Sequence, residues 1–262
     1  MTDPTTSAVR TEHVWKTFHQ EAEEIHAVRD VTIEIARGEF TALAGPSGSG
    51  KTTLLNVISA LDAPTSGSYH FGGELVPHDD VEAMTAFRRR NVGYVFQFFN
   101  LLGDLTSLEN ILLVQELTGG RDEPRAKELL ALVGLAGLEE RFPSEMSGGQ
   151  QQRVAIARSL AKTPRLLLGD EPTGNLDSET TRQVMEVLVD ACRTEKITAV
   201  LVSHDHALER YATRVIAIDS GKLVEDRPGE LATVKGAVKE AGRSSRKALK
   251  SLAEKARRLS QR

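Results

Sequence analysis

Four short apolar runs along the chain end in the same way, in polar or glycine-rich residues. "FTALAGPSGSGK" runs from Phe40 into a turn at Gly45. "NVGYVFQ" ends at Gln97, "RLLLGDE" at Asp170 and Glu171, and "ITAVLVSHD" at Ser203, His204 and Asp205. Continuous apolar runs of this length suit strands buried on both faces, as in a parallel sheet. Helical patterns lie between them, over residues 51–61, 150–162 and 178–193. Strands alternating with helices predict an α/β fold. In such sheets ligands sit beyond the carboxyl ends of the strands, so the four polar endings are expected to converge on one site.

The first ending points to the ligand. Gly45-Pro46-Ser47-Gly48-Ser49-Gly50-Lys51-Thr52 fits G-x-x-x-x-G-K-[ST], after a strand and before a helix, as the motif requires. Backbone N–H groups of such a loop wrap a β-phosphate, the lysine reaches the β- and γ-phosphates, and the hydroxyl serves Mg²⁺. Asp170 is then expected to hold Mg²⁺, directly or through water. Neighbours on a strand point opposite ways, which would turn Glu171 toward an attacking water as general base. The plainer alternative is that Glu171 caps the next element, since Pro172 stops the strand. Gln97 both donates and accepts and is a candidate sensor of Mg²⁺ or the water. His204 is a candidate partner of the γ-phosphate, and His206 reads as a surface histidine.

A second glycine-rich turn, "EMSGGQQQRVAIAR" from Glu145, opens another helix pattern. Ser147 is an ordinary N-cap. The two glycines behind it are unexpected, because each weakens a helix by about 1 kcal/mol relative to Ala. A helix start with bare backbone is an anion site, so an anion is expected to approach here closely.

The totals narrow the class. Of 262 residues, 40% are hydrophobic and 27% charged, the profile of a soluble globular chain. The longest apolar run, residues 129–138, is ten residues long, against about 20 needed to span a bilayer. "MTDPTTSAVR" has no apolar core, so no signal peptide is expected. A lone cysteine, Cys192, cannot form an internal disulfide and fits the cytoplasm. The net charge of −4 hides an asymmetry: residues 235–262 hold ten Lys/Arg and two Glu, net +8, and the remainder is net −12.

With the motifs taken in order, residues 9–226 resemble the ATPase subunits of ATP-binding cassette (ABC) systems. The P-loop is "GPSGSGKTT", the Q-loop "YVFQFFNLL", the signature "MSGGQQ", the Walker B segment "RLLLGDEP", the D-loop "TGNLD", and the switch histidine lies in "VSHD". "LDAPTSG", "FQFFNLL" and "GDEPTGNLD" are similar to the lipoprotein-release, macrolide-efflux and cell-division branch. The resemblance implies a P-loop NTPase (RecA-like) core with an antiparallel β edge and an inserted helical subdomain at about 98–162. The ATPase domain would run over 9–228, with a basic tail, helical or disordered, over 229–262.

It also implies ATP and Mg²⁺ as cofactors. Gly45, Pro46, Ser47, Gly48, Ser49, Gly50, Lys51, Thr52 and Thr53 would surround the phosphates, and Phe18 would stack on adenine where a tyrosine is usual. Trp15 is a lesser stacker or a core residue. Thr52, Gln97 and Asp170 would serve the metal; Glu171, His204, Gln97 and Lys51 would be catalytic. Ser147, Gly149 and Gln150 would bind the γ-phosphate held by a second subunit, and Asp177 would touch that opposite site. The implied assembly is a homodimer formed on ATP, driving a separately encoded integral-membrane permease. The implied location is cytoplasmic, peripheral on the inner face of the cell membrane. Met146, Gly169 and Gly103 replace the family's usual leucine, alanine and proline, and none removes a catalytic group. Phe98, Phe99, Leu101 and Leu102 are expected both to pack the helical subdomain and to line the permease groove. Arg88, Arg89 and Arg90 read as a solvated turn.

The rival class is a soluble ABC ATPase acting on nucleic acid. Chromosome-maintenance members insert long coiled coils, and only 49 residues separate Gln97 from Ser147. Translation-associated members carry two cassettes, and this chain has one. No nucleic-acid partner is expected, and a P-loop kinase would lack "SGGQ". In the tail, Leu249, Leu252, Ala256 and Leu259 form an apolar stripe at helical spacing. It suits either contact with anionic membrane or permease, or a solvated tail.

Overall fold

The computed structural model describes residues 7–20, 23–203 and 206–231. His204 and the tail stripe therefore lie outside the described residues. The chain runs β1 (Ser7–Gln20), β2 (Glu23–Ala36), β3 (Phe40–Ala44), α1 (Lys51–Ile58), β4 (Ser66–Phe71), β5 (Glu74–Leu75), α2 (Val81–Asn91) and β6 (Val92–Phe96). It continues with α3 (Ser107–Thr118), α4 (Glu123–Leu132), α5 (Gly148–Leu160), β7 (Leu166–Asp170), α6 (Ser178–Thr194), β8 (Thr198–Val202), β9 (Arg214–Asp219) and β10 (Lys222–Pro228).

The four apolar runs are β3, β6, β7 and β8, and they sit in one sheet of order β10-β9-β3-β8-β7-β6. The pairs from β9 to β6 are parallel, and β10 returns antiparallel on the edge. A second, antiparallel sheet has the order β2-β1-β4-β5. Side chains alternate between the faces of a strand, and here each face has its own core. Leu166, Leu168, Val200 and Val202 join α1 and the antiparallel sheet through Leu54, Leu55, Ile35 and Tyr69. Leu167, Ala199 and Leu201 join α3, α4, α5 and α6 through Ile111, Leu129, Ile156 and Leu188. Covering both faces is why these strands read as unbroken apolar runs.

The helix ends follow from local chemistry. Thr106 and Glu109 make a capping box at α3, and Asp122 caps α4 with Pro124 in its first turn. Buried Val184, Met185, Leu188 and Cys192 form the inward stripe of α6. Burial pushes the Cys192 thiol pKa up to about 12, so it behaves as a core residue. Among the described residues, no helix is long and apolar enough to cross a membrane.

Candidate functional site

The carboxyl ends of β3 and β7 build the site. β3 lies between β9 and β8, and its loop is threaded where no side chain fits. A Cβ on Gly45 would lie 2.0 Å from the Ile218 carbonyl oxygen, and one on Gly50 2.1 Å from that of Ala27. Both residues have positive φ, +139° and +101°, conformations that L side chains rarely adopt. Pro46, Ser47, Gly48 and Thr52 are exposed and Thr53 is half-buried.

Lys51 is 6% exposed. Its Nζ donates to the carbonyls of Gly45 at 2.9 Å and Pro46 at 2.7 Å. Burial lowers its pKa, and the Glu171 and Asp170 carboxylates oppose that shift. The helix behind it, α1, starts at Gly50 with no side-chain cap. Its first amides and the buried ammonium make an electropositive pocket suited to an anion. The Ser49 hydroxyl, buried without a hydrogen-bond partner among the described residues, is a further polar group for such a ligand.

Thr52 Oγ1 donates to Asp170 Oδ1 at 3.2 Å, joining a hydroxyl and a carboxylate 118 residues apart in sequence. Burial raises the Asp170 pKa; the Thr52 bond and Lys51 lower it, and Glu171 adds to the rise. Hard oxygen donors of this kind suit Mg²⁺, which is usually held by one or two protein groups plus substrate phosphates.

Glu171 departs from the strand-alternation argument. β7 ends at Asp170, and Glu171 turns left-handed with φ +48°. Its N–H donates to the Val202 carbonyl at 3.0 Å, and its own carbonyl accepts from Gly174 N at 3.0 Å. The direction of its side chain is therefore set by a tight turn and not by the pleat. That turn brings in residues the sequence reading passed over. A Cβ on Gly174 would lie 3.0 Å from Gln97 Nε2 and 3.3 Å from Glu171 Oε2, so the bare glycine sits between those two side chains. Asn175 Nδ2 donates to the Gln97 carbonyl at 3.2 Å. Both residues lie in the "TGNLD" segment, where a Gly-Asn pair is a turn signal.

The signature turn is built differently. Ser147 caps α5: its Oγ accepts from Gln150 N at 3.3 Å, and Gln150 Oε1 accepts from Ser147 N at 2.9 Å. This is a capping box, which the S-x-x-Q spacing announces. Gly149 has a reason inside the chain, because a Cβ there would lie 2.4 Å from Thr180 Cγ2 of α6. Close approach of an anion is therefore not needed to explain that glycine. Gly148 meets Leu176 and Phe99 only at ordinary contact, 3.4 and 3.5 Å. Asp177 caps α6, accepting from the amides of Glu179 and Thr180 and from Thr180 Oγ1 at 2.6 Å. These bonds, the Thr180 hydroxyl first, hold its carboxyl below the usual range.

The fold thus brings Gly45–Thr53, Asp170, Glu171 and Gln97 to one edge. Among the described residues, no hydrogen bond or ion pair joins Ser147, Gly149, Gln150 or Asp177 to that loop. Phe18 is 38% exposed on β1, with the Lys16 ammonium 5.0 Å from its ring centre. Trp15 is half-buried and meets His26 edge-on at 5.9 Å. After Gln97, Phe98 and Leu102 are exposed, while Phe99 and Leu101 are half-buried.

The ABC transporter family profile matches residues 28–174. The lipoprotein-releasing system ATP-binding protein LolD of Jannaschia sp. (strain CCS1) is 45% identical over 209 residues, 79% of this chain and 92% of that protein. ABC transporter H family member 2 of Dictyostelium discoideum is 44% identical over 216 residues; they make up 80% of this chain and 42% of that longer protein. A solved dimeric ATP-binding cassette in a post-hydrolysis state, bound to ADP and Pi, matches with a TM-score of 0.75 at 38% identity, over 84% of this chain and 98% of that one. With the P-loop, the carboxylate pair and the capped "SGGQ" turn in place, this chain belongs to the ABC transporter family as its ATP-hydrolysing domain.

Proposed function

We propose that the chain pairs head to tail with a second copy on Mg-ATP and drives a separately encoded integral-membrane permease of the lipoprotein-release type. The observation that supports the Mg-ATP part of this reading is the Thr52–Asp170 contact beside buried Lys51, with Glu171 at the next position. Lys51 and the uncapped amides of α1 bind the phosphates, and Phe18 stacks on the base. Thr52 and Asp170 hold Mg²⁺, with Gln97 joining them. An ion held by these residues would supply charge neutralisation at the phosphate oxygens. Glu171 takes the proton of the attacking water as general base, and His204 donates to the γ-phosphate.

Ser147, Gly149 and Gln150 complete the site of the other copy, and Asp177 lies at the same junction. The exposed rings and methyls of Phe98 and Leu102 beside Gln97 offer the permease an apolar contact. The protein acts at the inner face of the cell membrane, and its basic tail, net +8 over 235–262, adds attraction to anionic lipid. Sedimentation of the Glu171→Gln chain with and without Mg-ATP tests the pairing. A shift from monomer to dimer on ATP is expected, and an unchanged monomer contradicts the shared site.

A further inference from the structure

We propose that Gln152 is a positioning residue that ties the signature helix to the two main-chain segments carrying Gln97 and Glu171. Gln152 lies in α5, five residues after Ser147, and its side chain is fully buried at 0% exposure. Its Nε2 donates to the Phe96 carbonyl at 3.3 Å and to the Pro172 carbonyl. Phe96 immediately precedes Gln97, and Pro172 immediately follows Glu171. Only the NH₂ end of an amide can face two carbonyls, so the orientation of the group is fixed by its partners.

The other end of the amide argues against a packing role alone. Gln152 Oε1 is buried with no hydrogen-bond partner among the described residues. An unmatched buried acceptor is destabilising, and a methionine of similar shape would avoid it. What methionine cannot do is hold the last carbonyl of β6 and a carbonyl of the turn after β7 with one planar group. Gln152 also belongs to the same continuous helix, Gly148–Leu160, that the signature turn opens. A displacement of α5 when Ser147 meets a phosphate is therefore transmitted through one amide to Phe96–Gln97 and to Glu171–Pro172 together. This inference rests on the reading that Gln97, Glu171 and Ser147 serve hydrolysis.

Two full-length variants test it. Gln152→Met keeps the shape and removes both donors. Gln152→Glu has no donor when ionised and regains one when protonated. Turnover, affinity for a fluorescent ATP analogue and melting temperature are measured for each, across pH, beside Glu171→Gln. Misplacement of reacting groups at a distance costs up to about 100-fold in rate. Gln152→Met is accordingly expected to lose about 10- to 100-fold in kcat with analogue affinity and melting temperature nearly unchanged. Gln152→Glu should match it at high pH and recover, relative to wild type, as pH falls. Wild-type kcat in Gln152→Met overturns the proposal. So does loss of kcat in step with affinity and melting temperature, or a pH ratio for Gln152→Glu that stays flat and well below wild type. Should Gln152→Met not fold, the pH ratio alone decides. Normal turnover in Glu171→Gln would instead overturn the functional reading on which the inference rests.

Discussion

Two glycine-rich turns open helices in this molecule, and they are constructed in opposite ways. The turn before α1 has a left-handed Gly50 and no side-chain cap. The turn before α5 is closed by its own Ser147–Gln150 box. At Gly45 and Gly50 the obstacle to a side chain is strand backbone, at 2.0 and 2.1 Å. At Gly149 it is one methyl of Thr180, at 2.4 Å. The first turn also encloses a buried cation, Lys51, whereas Ser147 and Gln150 are neutral. A helix N-terminus becomes an anion site in its own right when its amides are uncapped and a cation is built in. The first turn meets both conditions. The second meets neither, which suits a surface that only completes a site assembled elsewhere.

The largest effect is expected beside the first turn. Glu171→Gln should lower ATP turnover by about 10²–10⁴, the range for general-base assistance, while ATP binding survives because the P-loop and Lys51 are intact. Steady-state hydrolysis and a nucleotide titration on the same variant check both halves. At the second turn the expected effect is smaller and partly reversible. Gly149→Ala overpacks the α5–α6 contact and should cost about 1–3 kcal/mol of stability. Thr180→Ser removes the opposing methyl, keeps the hydroxyl bonded to Asp177, and should restore that stability. Denaturant melts of the two single variants and the double variant measure it. Hydrolysis by the double variant then sharpens the comparison. Recovery of turnover with stability makes Gly149 a packing residue only. Stability without turnover leaves room for close phosphate approach as well. Smallest of all is removal of residues 236–262, which leaves both turns untouched. ATPase activity should stay at the full-length rate while co-sedimentation with anionic vesicles falls. Equal partition of the two forms would leave the tail without a membrane role.

The sequence was most legible where one local pattern carries the structure. Strands β3, β6, β7 and β8 are apolar because both of their faces are covered, and the P-loop glycines are spaced by a fixed motif. The long strands β1 and β2 were not legible as elements. Their pairing shifts register between Thr11 and Val14, between Val14 and Lys16, and between Lys16 and Thr17, which breaks the alternation that marks a strand. Strand-based reasoning about Glu171 failed for a related reason. A left-handed φ at one residue is a property of the turn closed by Gly174, and the apolar run before it carries no sign of it. The contact that excludes a side chain at Gly149 joins residues on different helices, so no local pattern contains it. Gln152 was hidden in a run of three glutamines. Its position one turn before buried Ile156 places it on the inward stripe of α5, a signal that helical phase alone could have supplied.

The central claim is that the two turns of one chain serve different ATP molecules, and mixing two inactive variants tests it most directly. Lys51→Ala disables the P-loop and keeps a normal signature turn. Ser147→Glu places a carboxylate where a phosphate should approach and keeps a normal P-loop. Each homodimer then has two damaged sites. A mixed dimer has one site with both lesions and one with neither, if each site is shared between copies. Steady-state hydrolysis in a titrated mixture, at saturating Mg-ATP, should therefore rise well above that of either variant alone. If each chain completed its own site, the mixture would remain as inactive as its components at every ratio, and the account would be contradicted.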